Sequence, residues 1–276
     1  MPKIFLLSII FFYSHYCFAQ TNEAAYIQGN ISISPKIFSQ NKIKKEVIFS
    51  VYMNRAKEDS FIHKTKFYDS TGYITKETYP FLTGTGTTLF SYGPHNKLIK
   101  EYSPDTPSED VEYSYDQYGN LINTSKKSND KKLRSVRSEY NAQQQLIKRL
   151  DIVGDNDINS TEQYCYNATG KIDSIIIFQN SERYVQYYQY SKDNDTVTIF
   201  YNNKTINGNN RYIYNKDKQL LMTITRETSQ QYSKEVVVEF FYNADGTIRQ
   251  ENTSSSESQG TYSSVRQTSY DHYYFQ

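Results

Sequence analysis

The chain has 276 residues, with 31 Lys and Arg against 30 Asp and Glu, and it contains 28 tyrosines and no tryptophan. A charge balance so close to neutral predicts neither a nucleic-acid partner nor a general attraction to anionic membranes. Strand and turn formers dominate, and no amphipathic helical stretch of useful length is visible, so the composition indicates an all-β protein.

The first predicted element is an export signal at residues 1–19. Lys3 precedes an apolar run at residues 4–12, and Cys17 and Ala19 place small residues where a signal peptidase requires them. The run is shorter than the ~20 residues that a membrane-spanning helix needs. We therefore predict a secreted, periplasmic or cell-surface protein that does not span the membrane after cleavage, with a retained signal anchor as the alternative.

The mature chain is predicted to be one β domain at residues 46–276, preceded by a less regular segment at residues 20–45 that either adds one strand or covers the first edge of the sheet. Residues 46–54 and 60–68 read as the first hairpin. Cleavage would leave Cys165 as the lone cysteine, which excludes an internal disulfide. We expect its side chain to pack as a small apolar group in a strand.

From residue 60 onward the chain repeats one unit, of which "YSYDQYGNL" at residues 113–121 is a clear copy. Copies lie 23 to 28 residues apart and share an anchor tyrosine just before a turn. The anchors are Tyr68, Tyr92, Tyr115, Tyr140, Tyr166, Tyr190, Tyr214 and Tyr242, and Tyr270 begins a truncated copy. Self-similarity at a fixed period is the signature of a repeat architecture.

Each repeat carries the chemistry of a tight hairpin. An Asp or Asn usually follows the anchor, as Asp116 does, and suits the first position of a type I turn. Four residues after the anchor come Gly72, Gly119, Gly170 and Gly246, which adopt the left-handed conformation that closes such a turn with a bulge. Gln144 and Lys218 replace Gly in two copies, where we expect strained or altered turns.

Six residues after the anchor comes an aliphatic residue, such as Leu121, Ile172 or Ile248, predicted to lie directly opposite the anchor tyrosine. The residue two before the anchor is often aromatic and falls on the same face. Two strands a repeat give about 16–18 antiparallel strands in an up-and-down meander. Because open twisted sheets of more than ~10 strands curl or close, we predict a curled or closed, barrel-like sheet.

Charges decide whether that sheet could be an outer-membrane barrel. Simple alternation places Lys76, Lys100 and Lys148 on the face of the anchor tyrosines, and Glu77, Glu101 and Arg149 on the other. A lipid-facing surface needs an apolar band about 25 Å tall, and mid-depth Arg or Lys costs ~2–4 kcal/mol. The pattern therefore disfavours a membrane barrel.

The motif Tyr-x-Tyr-Asp-x-x-Gly-x-Leu at residues 113–121, with near matches at residues 164–172 and 240–248, resembles the YD repeat of the Rhs and teneurin class. The resemblance covers residues 60–276 and implies a long β-hairpin meander on an extracellular protein. In large members that sheet surrounds a C-terminal toxin, and no toxin domain follows Tyr270. The chain resembles the short, secreted bacterial members of unknown role more than these large ones, and some of the short members are thought to be porin-like barrels.

No motif for catalysis or for a cofactor is found. His63, His95 and His272 are far apart in the sequence and belong to no metal or catalytic signature. Residues 155–162 place Asp155, Asp157 and Asn159 at three calcium-loop positions, but Ser160 stands where Gly is required and Tyr166 where Glu is required. An Asx-rich turn explains this stretch, and whether it binds calcium stays open. We predict no cofactor.

One basic run is a candidate binding surface for an anionic glycan or lipid headgroup, with solubility of an exposed hairpin as the alternative. Its members are Lys126, Lys127, Lys131, Lys132, Arg134 and Arg137.

The sequence favours a non-enzymatic exported scaffold that binds a glycan or an envelope or surface protein through exposed tyrosines or variable loops. A container for a small apolar ligand is the second hypothesis. A glycan-active enzyme is the third and would need a cleft with two carboxylates of shifted pKa.

Overall fold

The computed structural model describes residues 40–54, 57–81, 84–104, 110–128, 131–193, 195–202, 207–229, 233–257 and 264–274. The predicted export signal, residues 20–39 of the N-terminal segment, and Asn194 in the turn after Tyr190 lie outside these residues.

The described residues form eighteen strands and one 3₁₀ turn at Pro94–Asn96. The strands are β1 Ile43–Asn54, β2 Lys57–Tyr68, β3 Ile74–Phe81, β4 Gly84–Tyr92, β5 Leu98–Tyr102, β6 Asp110–Tyr115, β7 Leu121–Ser128, β8 Lys131–Tyr140, β9 Leu146–Val153, β10 Asp157–Tyr166, β11 Ile172–Gln179, β12 Glu182–Tyr190, β13 Thr196–Asn202, β14 Asn207–Tyr214, β15 Leu220–Thr228, β16 Ser233–Tyr242, β17 Ile248–Glu257 and β18 Ser264–Tyr274.

Every strand pairs antiparallel with the strand before it and the strand after it, and β1 also pairs with β18 from Ile43↔Tyr274 to Tyr52↔Arg266. Each of the eighteen strands thus has two hydrogen-bonded neighbours, and the sheet closes on itself. Closure removes the free edges through which strands aggregate. The predicted all-β meander of 16–18 strands is confirmed at the upper end of that range.

Two details of the predicted boundaries differ. Strand β1 begins at Ile43, which lies inside the predicted N-terminal segment at residues 20–45 and before the predicted start of the β domain at residue 46. The predicted return loop at residues 126–132 is largely strand, because β7 continues to Ser128 and β8 begins at Lys131.

The hairpin register follows the predicted pairs. Tyr115 lies opposite Leu121, Tyr166 opposite Ile172, and Tyr242 opposite Ile248. The copy at Tyr190 differs: its longer turn pairs Tyr190 with Val197 instead of Thr196. An aliphatic partner is therefore kept even where the turn has changed length.

The bulge corrects the predicted faces of the mid-strand charges. Tyr68 pairs with Ile74 and Phe67 with Lys76, so Thr75 is an extra residue that reverses the alternation. As a result the face that carries the anchor tyrosines also carries Glu77, Glu101 and Arg149. The other face carries Lys76, Lys100 and Lys148. Both faces still carry charges in mid-strand.

Aromatic side chains differ sharply in burial between the two faces. Tyr113, Tyr164 and Tyr188, on the face of the anchors, are 5 to 8% exposed, whereas Tyr187, on the other face, is 58% exposed. We call these the tyrosine face and the opposite face. Most of the buried hydrophobic residues lie on the tyrosine face, so we assign this face to the interior of the closed sheet; Val47 and Ile152 are buried on the opposite face.

Candidate functional site

The anchor tyrosines use their hydroxyls to join neighbouring repeats. Tyr115 Oη donates to the carbonyl oxygen of Leu98, six residues after the preceding anchor, at 2.8 Å. The same bond, between 2.8 and 3.1 Å, is made to Ile74, Leu121, Leu146, Ile172 and Leu220 by Tyr92, Tyr140, Tyr166, Tyr190 and Tyr242. These hydroxyls therefore hold the fold together and are not available to a ligand.

The tight turns are built as the sequence predicts. In one copy the Asp116 carboxylate accepts hydrogen bonds from the backbone N–H groups of Tyr118 and Asn120, and Gly119 has a φ of 86°. Gln144 and Lys218 adopt the same left-handed conformation, with φ of 62° and 63°, and make the same turn hydrogen bonds. These turns are thus strained, as expected, but not altered.

A buried charge cluster lies on the tyrosine face where the sheet closes. Glu46 of β1, only 2% exposed, has Oε1 3.1 Å from Nε2 of His272 on β18 and Oε2 3.2 Å from Nζ of Lys66 on β2. Tyr68 Oη donates to Glu46 Oε2 at 3.2 Å. Burial acts to raise the pKa of Glu46, but Lys66 and His272 together lower it to about 2.

A second polar group continues from this cluster along the tyrosine face. Lys64 pairs with Glu77 at 3.0 Å, and Tyr113 Oη donates to Glu101 Oε1 at 2.6 Å. Burial raises the pKa of Glu101 to about 7 and the charge of Glu77 adds to the rise, while Tyr113 and Lys64 act against it.

Two carboxyls with oppositely shifted pKa values invite comparison with a glycosidase pair. Such pairs stand about 5–10 Å apart. Glu46 on β1 and Glu101 on β5 are four strands apart, and strands spaced about 4.8 Å place them roughly 19 Å apart along the sheet. This pair therefore lacks the geometry of that chemistry.

The predicted basic run does not form one patch. Lys126 and Arg134 lie on the tyrosine face, whereas Lys127, Lys132 and Arg137 lie on the opposite face. Arg134 Nε and Nη2 donate to the Asp151 carboxylate at 2.6 and 2.5 Å.

The remaining lysines of the run also fall in strands rather than in a loop. Lys127 Nζ lies 2.6 Å from Glu112 Oε2. Lys131 pairs with Ser128 at the end of the β7–β8 hairpin. The basic residues of the run are divided between two faces of the sheet. Asp151 and Glu112 also neutralise Arg134 and Lys127, so the run is a poor anion-binding site.

Exposed aromatic residues form a platform on the opposite face of β11, β12 and β13. Tyr187 lies directly opposite Phe200, which is 42% exposed. Phe178, 41% exposed, lies opposite Arg183 on β12. Because Arg183 is four residues from Tyr187, a strand rise of ~3.4 Å a residue separates the two aromatic positions by roughly 14 Å along the sheet.

Polar side chains that can donate hydrogen bonds flank this aromatic platform, which we define as Phe178, Tyr187 and Phe200. Asn209 of β14 lies opposite Phe200, and Gln189 lies two residues from Tyr187 on the same face. Amide and guanidinium groups beside exposed rings supply directional contacts at the edge of an apolar surface.

The other sequence candidates carry no ligand geometry in the part of the chain described. Asp157 and Asn159 belong to β10, and Asn159 Nδ2 donates to Asp151 at 2.6 Å. No group of three or more His, Cys, Asp or Glu there could hold a metal ion. Cys165 was expected to be packed but is exposed, because it lies on the opposite face of β10.

Comparison with known proteins gives no family. No protein-family model matches the chain, and no curated protein matches it. A porin-like protein from Bacteroides uniformis ATCC 8492 is similar in structure, with a TM-score of 0.47 and 10% identity over 84% of this chain and 97% of that one. MucB in complex with MucA aligns with a TM-score of 0.15 and 7% identity over 87% of this chain and 91% of that one. Neither likeness carries an inference about function.

No helix among the described residues combines the length and the apolar character needed to cross a membrane.

Sequence reasoning missed the aromatic platform, although a signal was present. Tyr187 lies three residues before the anchor Tyr190, an odd offset that strand alternation assigns to the opposite face. The same parity applies to Phe200 relative to Val197, the partner of that anchor. Large aromatic residues at odd offsets from the anchor were the pattern to look for.

Proposed function

We propose that this chain is an exported, non-enzymatic β-repeat protein of the cell envelope or surface that binds a glycan through the aromatic platform. The observation that carries the proposal is the direct pairing of exposed Tyr187 with exposed Phe200 on the opposite face. Exposed aromatic patches rimmed by polar groups are typical of interaction sites.

The burial of the two sets of aromatic residues supports this choice of surface. The anchor tyrosines pack inside the sheet and their hydroxyls bond to neighbouring repeats, so little of their surface is available to a binding partner. Tyr187 and Phe200 lie on the solvent-exposed face of the same sheet. An aromatic ring in that position is stabilised when the apolar face of a ligand covers it.

Sugar chemistry suits the platform better than a lipid surface does. The apolar face of a sugar ring stacks on an aromatic ring, and its hydroxyls accept hydrogen bonds from Asn209, Gln189 and Arg183. Lipid would instead have to cover the charged side chains of Lys76, Lys100 and Lys148 on the same face, at a cost in free energy.

The test is co-sedimentation of the mature chain, residues 20–276, with peptidoglycan, lipopolysaccharide and insoluble polysaccharides at two salt concentrations. We expect binding that is insensitive to salt, because no ion pair carries it. Changing both Tyr187 and Phe200 to Ala should weaken binding about tenfold or more, as loss of central aromatic contacts commonly does.

Tyr118→Ala is the matched control, since Tyr118 is 68% exposed but lies in a tight turn far from the platform. Loss of binding in both variants, or binding that falls with salt alone, would contradict the proposal. Binding to none of the glycans would contradict it as well.

A container for a small apolar ligand is the second candidate, and the closure of eighteen strands favours it. Closed sheets of 16–18 strands enclose more space than their inward side chains fill. Protection of the buried tyrosines from a fluorescence quencher by an added apolar ligand would support this function, and unchanged quenching would count against it.

A further inference from the structure

Glu101 of β5 is a carboxylate on the tyrosine face that lacks a cationic partner. Three other carboxylates of this face lie between 3.0 and 3.7 Å from a Lys or Arg nitrogen: Glu46 with Lys66, Glu77 with Lys64, and Glu162 with Arg149. Among the residues that the structure describes, Glu101 has only the hydrogen bond that Tyr113 Oη donates at 2.6 Å. A carboxylate that is partly removed from water is stabilised by a cation, and this chain places none against Glu101.

The surroundings of Glu101 are apolar and aromatic. Phe90 on β4 and Val111 on β6 lie directly opposite it, one on each side. Phe90 and Tyr92 pack against the buried cluster that contains Val111 and Tyr113. Burial raises the pKa of Tyr92, and the charge of Glu101 adds to the rise, which places this ring near the carboxylate. The half-buried Glu101 therefore faces the interior of the sheet among three aromatic rings.

This lining suits an organic cation better than a metal ion. A calcium ion takes about six to eight oxygen ligands, and the rings around Glu101 supply none beyond the Tyr113 hydroxyl. Aromatic faces instead attract large cations, and quaternary ammonium groups are recognised in this way.

We infer that Glu101, with Phe90, Tyr92 and Tyr113, binds the quaternary ammonium group of a small organic cation inside the closed sheet. The carboxylate balances the charge of the ligand, and the rings cover its methyl groups. A quaternary ammonium has no N–H group, so it needs no hydrogen-bond acceptor from an apolar lining.

The site is reached from the interior and is independent of the aromatic platform. Closed sheets of 16–18 strands enclose more space than their inward side chains fill, so a ligand of this size has room beside Glu101. The platform lies on the opposite face of other strands, and glycan binding there is not required for binding here.

Binding should strengthen as the pH rises, because Glu101 attracts a cation only when it is ionised. Burial raises the pKa of Glu101 to about 7; Tyr113 acts against this rise, Glu77 adds to it and Lys64 acts against it. Lys126 on β7 also carries charge on this face, opposite Val111. Affinity should therefore increase about tenfold between pH 6 and pH 8, as the ionised fraction of Glu101 does.

Isothermal titration of the mature chain, residues 20–276, with choline chloride at constant ionic strength tests the site. The control ligand is the neutral analogue of choline in which a carbon atom replaces the nitrogen. At pH 8 we expect choline to bind about tenfold more tightly than this analogue. Glu101→Gln should weaken choline binding about tenfold or more and remove its pH dependence. Glu112→Gln, on the opposite face of β6, should leave both unchanged.

Phe90→Leu tests the rings separately and keeps the site testable if Glu101→Gln folds poorly. It retains an apolar side chain but removes an aromatic face, so it should weaken the binding of choline more than that of the neutral analogue. Equal affinity of the parent chain for the two ligands, or no choline binding at pH 8, would overturn the inference. Undiminished choline binding by Glu101→Gln would overturn it as well, and so would equal weakening of both ligands by Phe90→Leu.

Discussion

The hydroxyl of Tyr115 donates a 2.8 Å hydrogen bond to the carbonyl oxygen of Leu98, seventeen residues earlier and in the preceding repeat. The strand ladder already joins these repeats, so the side-chain bond adds a second connection across each junction. Five further anchors make it, which turns a motif visible within one hairpin into a contact between hairpins.

Removing this hydroxyl should weaken the fold. For Tyr115→Phe we expect the free energy of unfolding to fall by about 0.5–1.5 kcal/mol, the usual net value of one hydrogen bond. Urea unfolding with an unchanged m-value would measure it. Tyr187→Phe, on the exposed side, serves as the control, and an equal loss in both variants would argue against the role of the bond.

The strained turn at Lys218 should be stabilised by glycine. A left-handed non-glycine residue costs about 1–2 kcal/mol, against about 0.5–1 kcal/mol for the extra flexibility of unfolded glycine. Lys218→Gly should therefore raise the free energy of unfolding by up to about 1.5 kcal/mol. Gln144→Gly should gain less, because it also loses the hydrogen bond that Asn120 Nδ2 donates to Gln144 Oε1. Gly119→Ala, at a φ of 86°, is expected to lower it. Opposite signs in urea titrations would contradict this explanation.

Acid should weaken the contacts of β1 with β2 and β18, where the sheet closes, because it protonates Glu46. Its pKa is about 2 in the folded chain against an ordinary 4.5, so its stabilising contribution is present above pH 4.5 and is lost as the pH falls toward 2. The loss should be on the order of 3 kcal/mol. At pH 7 the Glu46→Gln variant should be less stable than the parent chain, because Lys66 loses its ion-pair partner. Its free energy of unfolding should also fall less steeply as the pH is lowered. If urea unfolding showed the same dependence of stability on pH for Glu46→Gln and for the parent chain, this role of Glu46 would be contradicted.

Glu101 should act in the opposite direction near neutral pH. Its folded pKa of about 7 lies above the ordinary 4.5, so the folded chain binds more protons and stability falls as pH rises between these values. Glu101→Gln should remove the slope and be more stable than the parent chain at pH 8, by on the order of 1–3 kcal/mol. The difference between the two chains should vanish near pH 4, and a constant difference at all pH values would speak against burial as the cause.

The local part of this fold could be read from the sequence, because a tight turn fixes which residues face each other. Tyr115 and Leu121 pair as the spacing predicts. The faces of Lys76 and Glu77 could not be obtained by simple alternation, since the bulge adds one residue that the count leaves out. Glu46 and His272 were beyond reach because they are 226 residues apart and meet only where the sheet closes.

The candidate site divides in the same way. Tyr187 and Phe200 could have been assigned to the exposed face by parity alone. The pairing of Arg134 with Asp151 could not, since the two residues are 17 positions apart and meet only through the register of β8 and β9.

The closure of β1 on β18 has a consequence for how such chains can diverge. Strands pair antiparallel around the whole ring, so an even number is required, and one repeat contributes two. Duplication or loss of a whole repeat would keep the tyrosine contacts at each junction and still bring the two terminal strands together in the same sense. Gain or loss of whole repeats can thus widen or narrow the ring in steps of two strands without a new closing interaction.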